Sequence, residues 1–270
     1  MQILPLLAVL CLTAVSTMKY KRAVRSVISL AFWLGVWQLA AICVGKELIL
    51  PTPLAVVKVL IKLCASGSFW LSAGLSLARV FCGFFAGVII GSLLAWLTYV
   101  SPVSDTLFSP IIRIVRATPV ASFIILALLW IGKALVPAFI SMLMVIPIIW
   151  GSTRTAIDQT DKNLLEMGNV YRLGFRKTLR YIYIPSVFPA WRSACITALG
   201  LSWKAGIAAE VLCVPRLSIG SNLYNSKIYL ETPSLFAWTC VVILLSFFVE
   251  KGLVQLLKHS PTLIKGGAYS

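Results

Sequence analysis

Residues Leu165–Pro185 read LEMGNVYRLGFRKTLRYIYIP and form the only long polar, basic loop in an otherwise strongly apolar chain. Glu166 opens this loop, and an Ile182-x-x-Pro185 turn closes it just before another apolar run. The mixture of apolar and polar residues from Glu166 through Arg176 predicts a short amphipathic helix. Glu166 is expected at its N-terminus, where a carboxylate accepts backbone hydrogen bonds. We therefore expect a surface helix between two segments that lie in lipid.

The composition of the chain is that of a membrane protein. Of its 270 residues, 60% are hydrophobic and 12% are charged, and the mean hydropathy is +0.95. Soluble domains carry about 25% charged residues. Lys and Arg number 24 against 8 Asp and Glu, an excess that would indicate nucleic acid binding in a soluble protein. Here the basic residues cluster between apolar runs, which favours a role in membrane orientation and no nucleic acid partner.

Six apolar segments predict helices, and a membrane span needs about 20 apolar residues. The segment 119–132 is short, and we expect it to extend into the Leu107–Arg116 side. In lipid a spanning segment must satisfy its own backbone hydrogen bonds, which favours helices, and the alternating pattern of a barrel is absent. The prediction is an all-α, polytopic membrane protein. The predicted spans are 27–44, 74–100, 119–132, 134–152, 190–213 and 235–257.

The distribution of Lys and Arg predicts how these helices are oriented. With the N-terminal side of the 27–44 helix in the cytoplasm, sixteen basic residues lie inside and six outside. Positive residues favour the cytoplasmic side of a membrane. The Leu165–Pro185 loop and the C-terminus are therefore expected in the cytoplasm of a multi-pass protein of the cell membrane.

Metal sites, cofactor sites and ATP hydrolysis are not expected in this chain. The seven cysteines are scattered without a CxxC pair, and His259 is the single histidine, whereas metal ligands occur at short spacings. No GxxxxGK[ST] phosphate loop occurs in the sequence.

The order of short motifs between Ser72 and Lys251 resembles the permease subunits of ATP-binding cassette importers for nitrate, sulfonates, taurine, bicarbonate and thiamine precursors. The resemblance covers about two thirds of the chain. Single motifs are weak, but six in one order are specific. They are Ser76-Leu77-x-Arg79-Val80-x-x-Gly83, Pro110 through Arg116-Ala117-Thr118-Pro119, Leu129-Trp130-x-Gly132, the polar loop, Trp203 through Ala209-Glu210, and a helix starting near Phe236-Ala237.

The polar loop resembles the coupling loop of that family, whose pattern is Glu-Ala-Ala, three residues, Gly, nine residues, then Ile-x-Leu-Pro. Glu166, Ile182 and Pro185 match this spacing. Arg172 replaces the glycine, and because arginine resists a tight bend, Gly174 is the alternative turn residue. The alternative for the whole loop is a solvated basic segment that only sets topology. The coupling residues implied by the resemblance are Glu166, Met167, Gly168, Arg172, Gly174, Ile182 and Pro185, with Ile184 replacing the family's leucine.

The resemblance also implies a domain organisation and partners. Residues 27–258 would form a six-helix, type I importer-like permease domain with its coupling loop at about 157–189, followed by a cytoplasmic tail at 259–270. Residues 1–26 combine an apolar segment, 2–17, with a basic linker. No charge precedes the apolar part, unlike in a secretory signal, so we expect an extra N-terminal helix, with a surface-lying or disordered extension as the alternative. The implied partners are a second permease copy or a homologous subunit, two cytoplasmic ATP-hydrolysing subunits and an external solute-binding protein.

Two further sets of residues lie within the predicted spans. Gly83, Gly87 and Gly91 share one helical face and predict close helix packing, either within one subunit or between two. Charged residues in spans face a cavity or a partner. Either Arg79 pairs with Glu210 while Lys204 extends outward, or Lys204 lines a path for anions. The candidate path residues are Arg79, Trp203, Lys204 and Glu210.

The sequence thus predicts a permease that couples ATP hydrolysis by partner subunits to alternating access for a small anionic solute. A permease for a thiamine precursor or another small heterocycle is the alternative. An ion-coupled carrier would need carboxylates near the bilayer midplane, and Glu210 is placed near an outer end. A membrane enzyme would need acidic or histidine clusters, and Asp158 and Asp161 are the one close acidic pair.

Overall fold

A computed structural model describes residues 28–259, which form helices joined by short loops and contain no strand. The predicted N-terminal segment 1–26 and the tail from residue 260 onward lie outside the described residues. A π-helical turn, Leu179–Tyr183, precedes α9. The helices are α1 (Ile28–Val44), α2 (Pro53–Cys64), α3 (Gly67–Val100), α4 (Pro102–Ala117), α5 (Val120–Trp130), α6 (Val136–Asp158), α7 (Lys162–Val170), α8 (Phe175–Thr178), α9 (Ile184–Cys213), α10 (Ile219–Ile228) and α11 (Thr232–His259).

Each predicted membrane segment is helical in the described residues, but not every one is long enough to cross a membrane by itself. Within residues 28–259, 4 helices are long and apolar enough to cross a membrane: α3, α6, α11 and the continuous helix that runs from α8 into α9. The shorter α1 is also apolar. The short segment 119–132 was expected to extend into the Leu107–Arg116 side, and α4 and α5 are together long and apolar enough to cross a membrane, but they differ in direction by 110° and do not form one straight helix. Pro119 disfavours helical backbone at Thr118, which is extended.

Helices α3, α6 and α9 form the centre of the described bundle. Residues of α3 and α6 pack with α9 in a buried cluster around Phe84, Val145 and Leu199. The N-terminal parts of α3 and α6 lie near α10, and their C-terminal ends lie near α7, whereas α9 runs in the opposite direction. We call these two ends of the bundle the α10 end and the α7 end.

Three glycines allow α3 to approach α6 within the same chain. A Cβ added at Gly83 would lie 2.1 Å from the backbone oxygen of Ala138, and one at Gly87 would lie 2.7 Å from Val145 Cβ. At Gly91 the added atom would lie 3.0 Å from Ile149 Cβ. A Cβ at Gly83 or Gly87 would overlap atoms of α6, and one at Gly91 would force its neighbour to shift by a few tenths of an ångström. Of the two alternatives that the sequence left open, the structure places this glycine face within one subunit.

The outer surface of the bundle carries many exposed apolar side chains. Examples are Leu93 on α3, Trp130 on α5 and Phe248 on α11, which are between 64% and 79% exposed. Exposed apolar area on this scale is unusual for a soluble monomer. The bundle is therefore built for lipid or for further subunits.

Candidate functional site

Helix α7 begins at a cap that the sequence did not identify. The Asp161 side chain accepts a hydrogen bond of 2.9 Å from the backbone N–H of Asn163 and so satisfies one free donor of the first turn. Glu166 is the fifth residue of α7 and is exposed. The expectation that Glu166 sits at the helix N-terminus is therefore wrong.

The C-terminus of α7 is a Schellman turn with Arg172 in the left-handed conformation, at φ 49°. The Leu173 N–H donates to the Gly168 carbonyl at 2.8 Å, and the Arg172 N–H donates to the Asn169 carbonyl at 3.0 Å. Arg172 thus occupies the backbone position for which glycine is usually selected. Gly174 has φ −64°, so the alternative that Gly174 supplies the turn is wrong. The helix also ends at Val170 and does not continue to Arg176.

Helix α7 is attached to the bundle on one side and exposes apolar residues on another. Gly168 is buried, and a Cβ added there would lie 3.1 Å from Cδ1 of Ile182 and 3.6 Å from Cδ1 of Leu173. The exposed face is an apolar stripe of residues that are between 40% and 80% exposed: Leu164, Met167, Val170 and Tyr171. Their spacing places them on adjacent turns of one helix. We call these four residues the α7 stripe.

The connection from α8 into α9 is a π-helical turn. The Ile184 N–H donates to the carbonyl of Leu179, five residues earlier. Pro185 lies in the first turn of α9 and has no N–H to donate, and a π-helical turn accommodates such a missing bond. The predicted closing turn at Ile182-x-x-Pro185 is thus helical, and the chain continues directly into the span.

A cavity of about 1060 Å³ lies along α6 and α9. On each helix the lining residues recur every three or four positions, which defines one face. The α4–α5 junction closes one side of the cavity. The polar lining residues are Arg116, Thr118, Ser152, Thr155, Gln159, Ser193, Thr197 and Lys204.

The cavity has a positive lining. Arg116 and Lys204 are its charged residues, and no Asp or Glu lines it in the described part of the chain. On α9, Ser193 and Lys204 are separated by about 16 Å, because a helix rises 1.5 Å per residue. The hydroxyl groups of Ser193 and Thr197 line the same face of α9, on the N-terminal side of Lys204.

Residues 28–259 contain no group of three or more His, Cys, Asp or Glu side chains that could hold a metal ion.

Arg79 and Glu210 form a buried ion pair at the α10 end. Arg79 NH1 lies 3.2 Å from Glu210 Oε1, and the Glu210 side chain is 0% exposed. Glu210 Oε2 accepts further hydrogen bonds from Ser76 Oγ at 2.7 Å and from the Gly220 N–H at 3.1 Å. Three donor contacts, from Arg79, Ser76 and Gly220, thus stabilise the buried charge. The pairing that the sequence suggested is confirmed.

Arg79 also holds the loop between α9 and α10. Its guanidinium donates to the backbone carbonyls of Arg216, at 3.1 Å, and Leu217, at 3.3 Å. Val214 and Leu217 in this loop have left-handed backbone conformations, which are unfavourable for side chains with a Cβ. Arg79 and Glu210 therefore fix the α10 end of the bundle.

The structure divides the four candidate path residues. Lys204 lines the cavity, whereas Arg79 and Glu210 lie in the ion pair described above. Trp203 is 1% exposed and packs in the core, where its indole N–H donates to the carbonyl of Val242 at 3.2 Å. Arg116 was missed as a lining residue. Its motif was noted, but the 110° bend that brings it to the cavity is not evident from the sequence.

Comparison with known proteins agrees with this arrangement. The family model described as "Binding-protein-dependent transport system inner membrane component" matches residues 87–257, which include α7 and all of the cavity lining. An Escherichia coli K12 protein, described provisionally as an aliphatic sulfonates transport permease, is 30% identical over 73% of this chain and 76% of its own length. The taurine transport system permease protein of the same organism is 23% identical over 86% and 87%.

The nitrate import permease protein of Synechocystis is 27% identical over 78% of this chain and 80% of its own length. Among solved structures, a chain of the methionine ABC transporter MetNI in inward-facing conformations superposes with a TM-score of 0.60 at 16% identity. That alignment covers 72% of this chain and 98% of the other, and it shows a shared fold. This chain belongs to the binding-protein-dependent transport system inner membrane components, the permease family of ATP-binding cassette importers.

Proposed function

We propose that this chain is the membrane-spanning subunit of an ATP-driven importer for a small anionic solute, such as a sulfonate, nitrate or bicarbonate. Two copies, or this chain and a homologous subunit, would enclose the translocation path. The α7 ends of the two permease subunits face the cytoplasm. Together they bind two ATP-hydrolysing subunits, which hold the ATP and Mg²⁺. An external solute-binding protein delivers the solute to the α10 end.

The exposed α7 stripe supports the coupling role. Its apolar residues lie on a helix that is fixed to the bundle through Gly168 and Ile182. Apolar and aromatic side chains are typical of the buried core of a protein interface. Closure of the ATPase subunits would push α7 as a rigid body, and the two sites are coupled through their contacts.

The charge of the cavity carries the proposal of an anionic solute. A cavity lined by Arg116 and Lys204 without a facing carboxylate has a positive potential that raises the local concentration of anions. An unpaired ammonium facing lipid costs roughly 2.5–3.5 kcal/mol at a helix centre on insertion scales, and a wet cavity removes most of that cost. The substrates in the names of the sulfonate, taurine and nitrate relatives support the same class.

Transport by a reconstituted complex tests this proposal. The permease, its ATPase subunits and its binding protein are placed in proteoliposomes, and uptake of ethanesulfonate, taurine and nitrate is measured. Lys204→Met is expected to lower anion uptake up to about tenfold, the lower end of the roughly 10–10³-fold enhancement of a cleft lined by one sign of charge, because Arg116 keeps one positive charge in the cavity. Lys204→Arg keeps the charge and is expected to retain uptake. Lys251→Met, at an exposed position of α11 away from the cavity, is the matched control.

Two results would contradict the anionic assignment. Anion uptake that is unchanged in Lys204→Met would show that this charge has no part in the path. Faster uptake of a cationic thiamine precursor than of the three anions by the unaltered complex would favour the alternative substrate class, because a positively lined path raises the barrier for a cation.

A further inference from the structure

Arg154 joins three helices at the α7 end. Its Nε donates to Asp158 Oδ2 at 3.2 Å, and its NH1 lies 3.8 Å from Asp105 Oδ1 in the first turn of α4. NH1 also donates to the backbone carbonyl of Thr98, and Cζ lies 5.5 Å from the ring centre of Tyr99. A planar guanidinium with several directional bonds fixes the relative positions of its partners. Arg154 therefore holds the C-terminal end of α3 against α4 and α6.

Tyr99 extends this set of contacts to the π-helical turn. The hydroxyl groups of Tyr99 and Tyr183 are 3.0 Å apart, and their ring centres are 6.0 Å apart. The Trp96 ring lies 6.1 Å from Tyr183 and 6.1 Å from Phe175, the first residue of α8. The end of α3 is thereby attached to both parts of the segment that follows α7.

The two outer ends of these contacts are α7 and the cavity. Ile182, the neighbour of Tyr183, packs directly on Gly168 of α7. The other end is α4. Asp105 in the first turn of α4 contacts Arg154, and Arg116 in the last turn of α4 lines the cavity. A continuous series of packed side chains thus leads from α7 through the end of α3 to α4.

We propose that Tyr183 and Arg154 are positioning residues that transmit a displacement of α7 to α4 and the cavity. This proposal rests on the proposed coupling role of α7. A π-helical turn interrupts the regular helical hydrogen bonds, so it is the point at which a push on α7 would be absorbed. The Tyr99–Tyr183 hydrogen bond fixes that turn to α3, and Arg154 fixes α3 to α4. The displacement then moves the cavity wall instead of deforming the turn.

The test measures the cavity directly and needs no knowledge of the solute. Thr197 is exposed and lines the cavity, so it is replaced by cysteine. The rate at which a maleimide labels this Thr197→Cys variant is measured in the ATPase-bound complex, without nucleotide and with trapped ATP. Peptide mass spectrometry assigns the label to position 197, so the native cysteines can remain. ATP hydrolysis and thermal stability are measured on the same samples.

Tyr183→Phe keeps the ring and removes the hydroxyl. The nucleotide-dependent change in labelling is expected to fall about two- to tenfold, which is the factor set by one neutral hydrogen bond. Thermal stability and assembly are expected to remain near the original values. Tyr99→Phe should have the same effect, and the double variant should be no worse than either single one, because one bond is lost in all three. Tyr181→Phe, at a side chain that is 67% exposed, is the matched control.

Glu166→Lys separates this proposal from the coupling role itself. If Glu166→Lys abolishes the nucleotide-dependent change while Tyr183→Phe retains it in full, the transmission proposal is overturned and the coupling role of α7 stands. If Glu166→Lys also retains it in full, the coupling role is overturned. Additive losses in the Tyr99 and Tyr183 variants would likewise contradict a shared hydrogen bond.

Discussion

The turn at Arg172 provides a quantitative test of how α7 is built. Left-handed backbone costs a residue with a Cβ roughly 1–2 kcal/mol, and Arg172 has φ 49°. Glycine removes this cost but loses roughly 0.5–1 kcal/mol more conformational entropy on folding than other residues. Arg172→Gly is therefore expected to stabilise the C-terminus of α7 by about 0.5–1 kcal/mol, the difference between the two effects.

Amide hydrogen exchange of the reconstituted permease measures this gain. The Tyr171 N–H, which donates to the Met167 carbonyl at 3.0 Å, exchanges only when the end of α7 opens. Its exchange is expected to slow roughly two- to fivefold in Arg172→Gly, since 1.4 kcal/mol corresponds to a factor of ten. Residues 170 and 171 are unchanged, so the chemical exchange rate at Tyr171 is unaffected.

Gly174→Ala is the matched change at the alternative turn residue. Gly174 has φ −64°, and no atom lies within 4 Å of an added Cβ. Alanine is compatible with this conformation and is expected to add about 0.4–1 kcal/mol by restricting the unfolded chain. If Gly174 supplied the turn, both variants would instead accelerate exchange at Tyr171. Faster exchange in the two variants would therefore refute the assignment of the turn to Arg172.

Three further predictions concern packing, the ion pair and orientation. Gly83→Ala should destabilise the bundle by about 1–3 kcal/mol in thermal unfolding because its Cβ meets a backbone oxygen of α6, whereas Gly74→Ala, in open space, should not; equal effects would contradict the packing. Arg79→Met should cost about 3–5 kcal/mol, since it leaves the buried Glu210 charge without its ion-pair partner; near-wild-type unfolding would contradict that role. Asn169→Cys should resist membrane-impermeant labelling from outside intact cells and react in inverted vesicles, and labelling from outside would reverse the proposed orientation.

Much of the Leu165–Pro185 loop could be predicted because its signals are local. The spacing of Glu166, Ile182 and Pro185 located it, and the mixed polarity of the segment predicted a surface helix. The end of that helix could not be predicted from residue preferences alone. Arginine is disfavoured in a left-handed turn, yet the hydrogen bonds of the Schellman motif hold Arg172 there.

The cavity was predictable in part. A lysine within an apolar span faces a cavity or a partner, and this rule identified Lys204, whereas Trp203, the other α9 candidate beside it, packs in the core. Arg116 reaches the same cavity only because the chain bends by 110° between α4 and α5. Pro119 indicates a helix boundary at that bend, but the sequence does not predict in which direction the chain turns.

The amino-acid sequence by itself determined the membrane class, the approximate spans and the position of the polar loop, because hydropathy and charge act within short segments. Tertiary structure alone decided that the glycines of α3 face α6, and that Arg154 and Tyr183 meet the end of α3. The partners in those last contacts, Thr98 with Arg154 and Tyr99 with Tyr183, are 56 and 84 residues apart in the chain. Such pairs are selected by the packing of whole helices, and no local pattern records which faces meet.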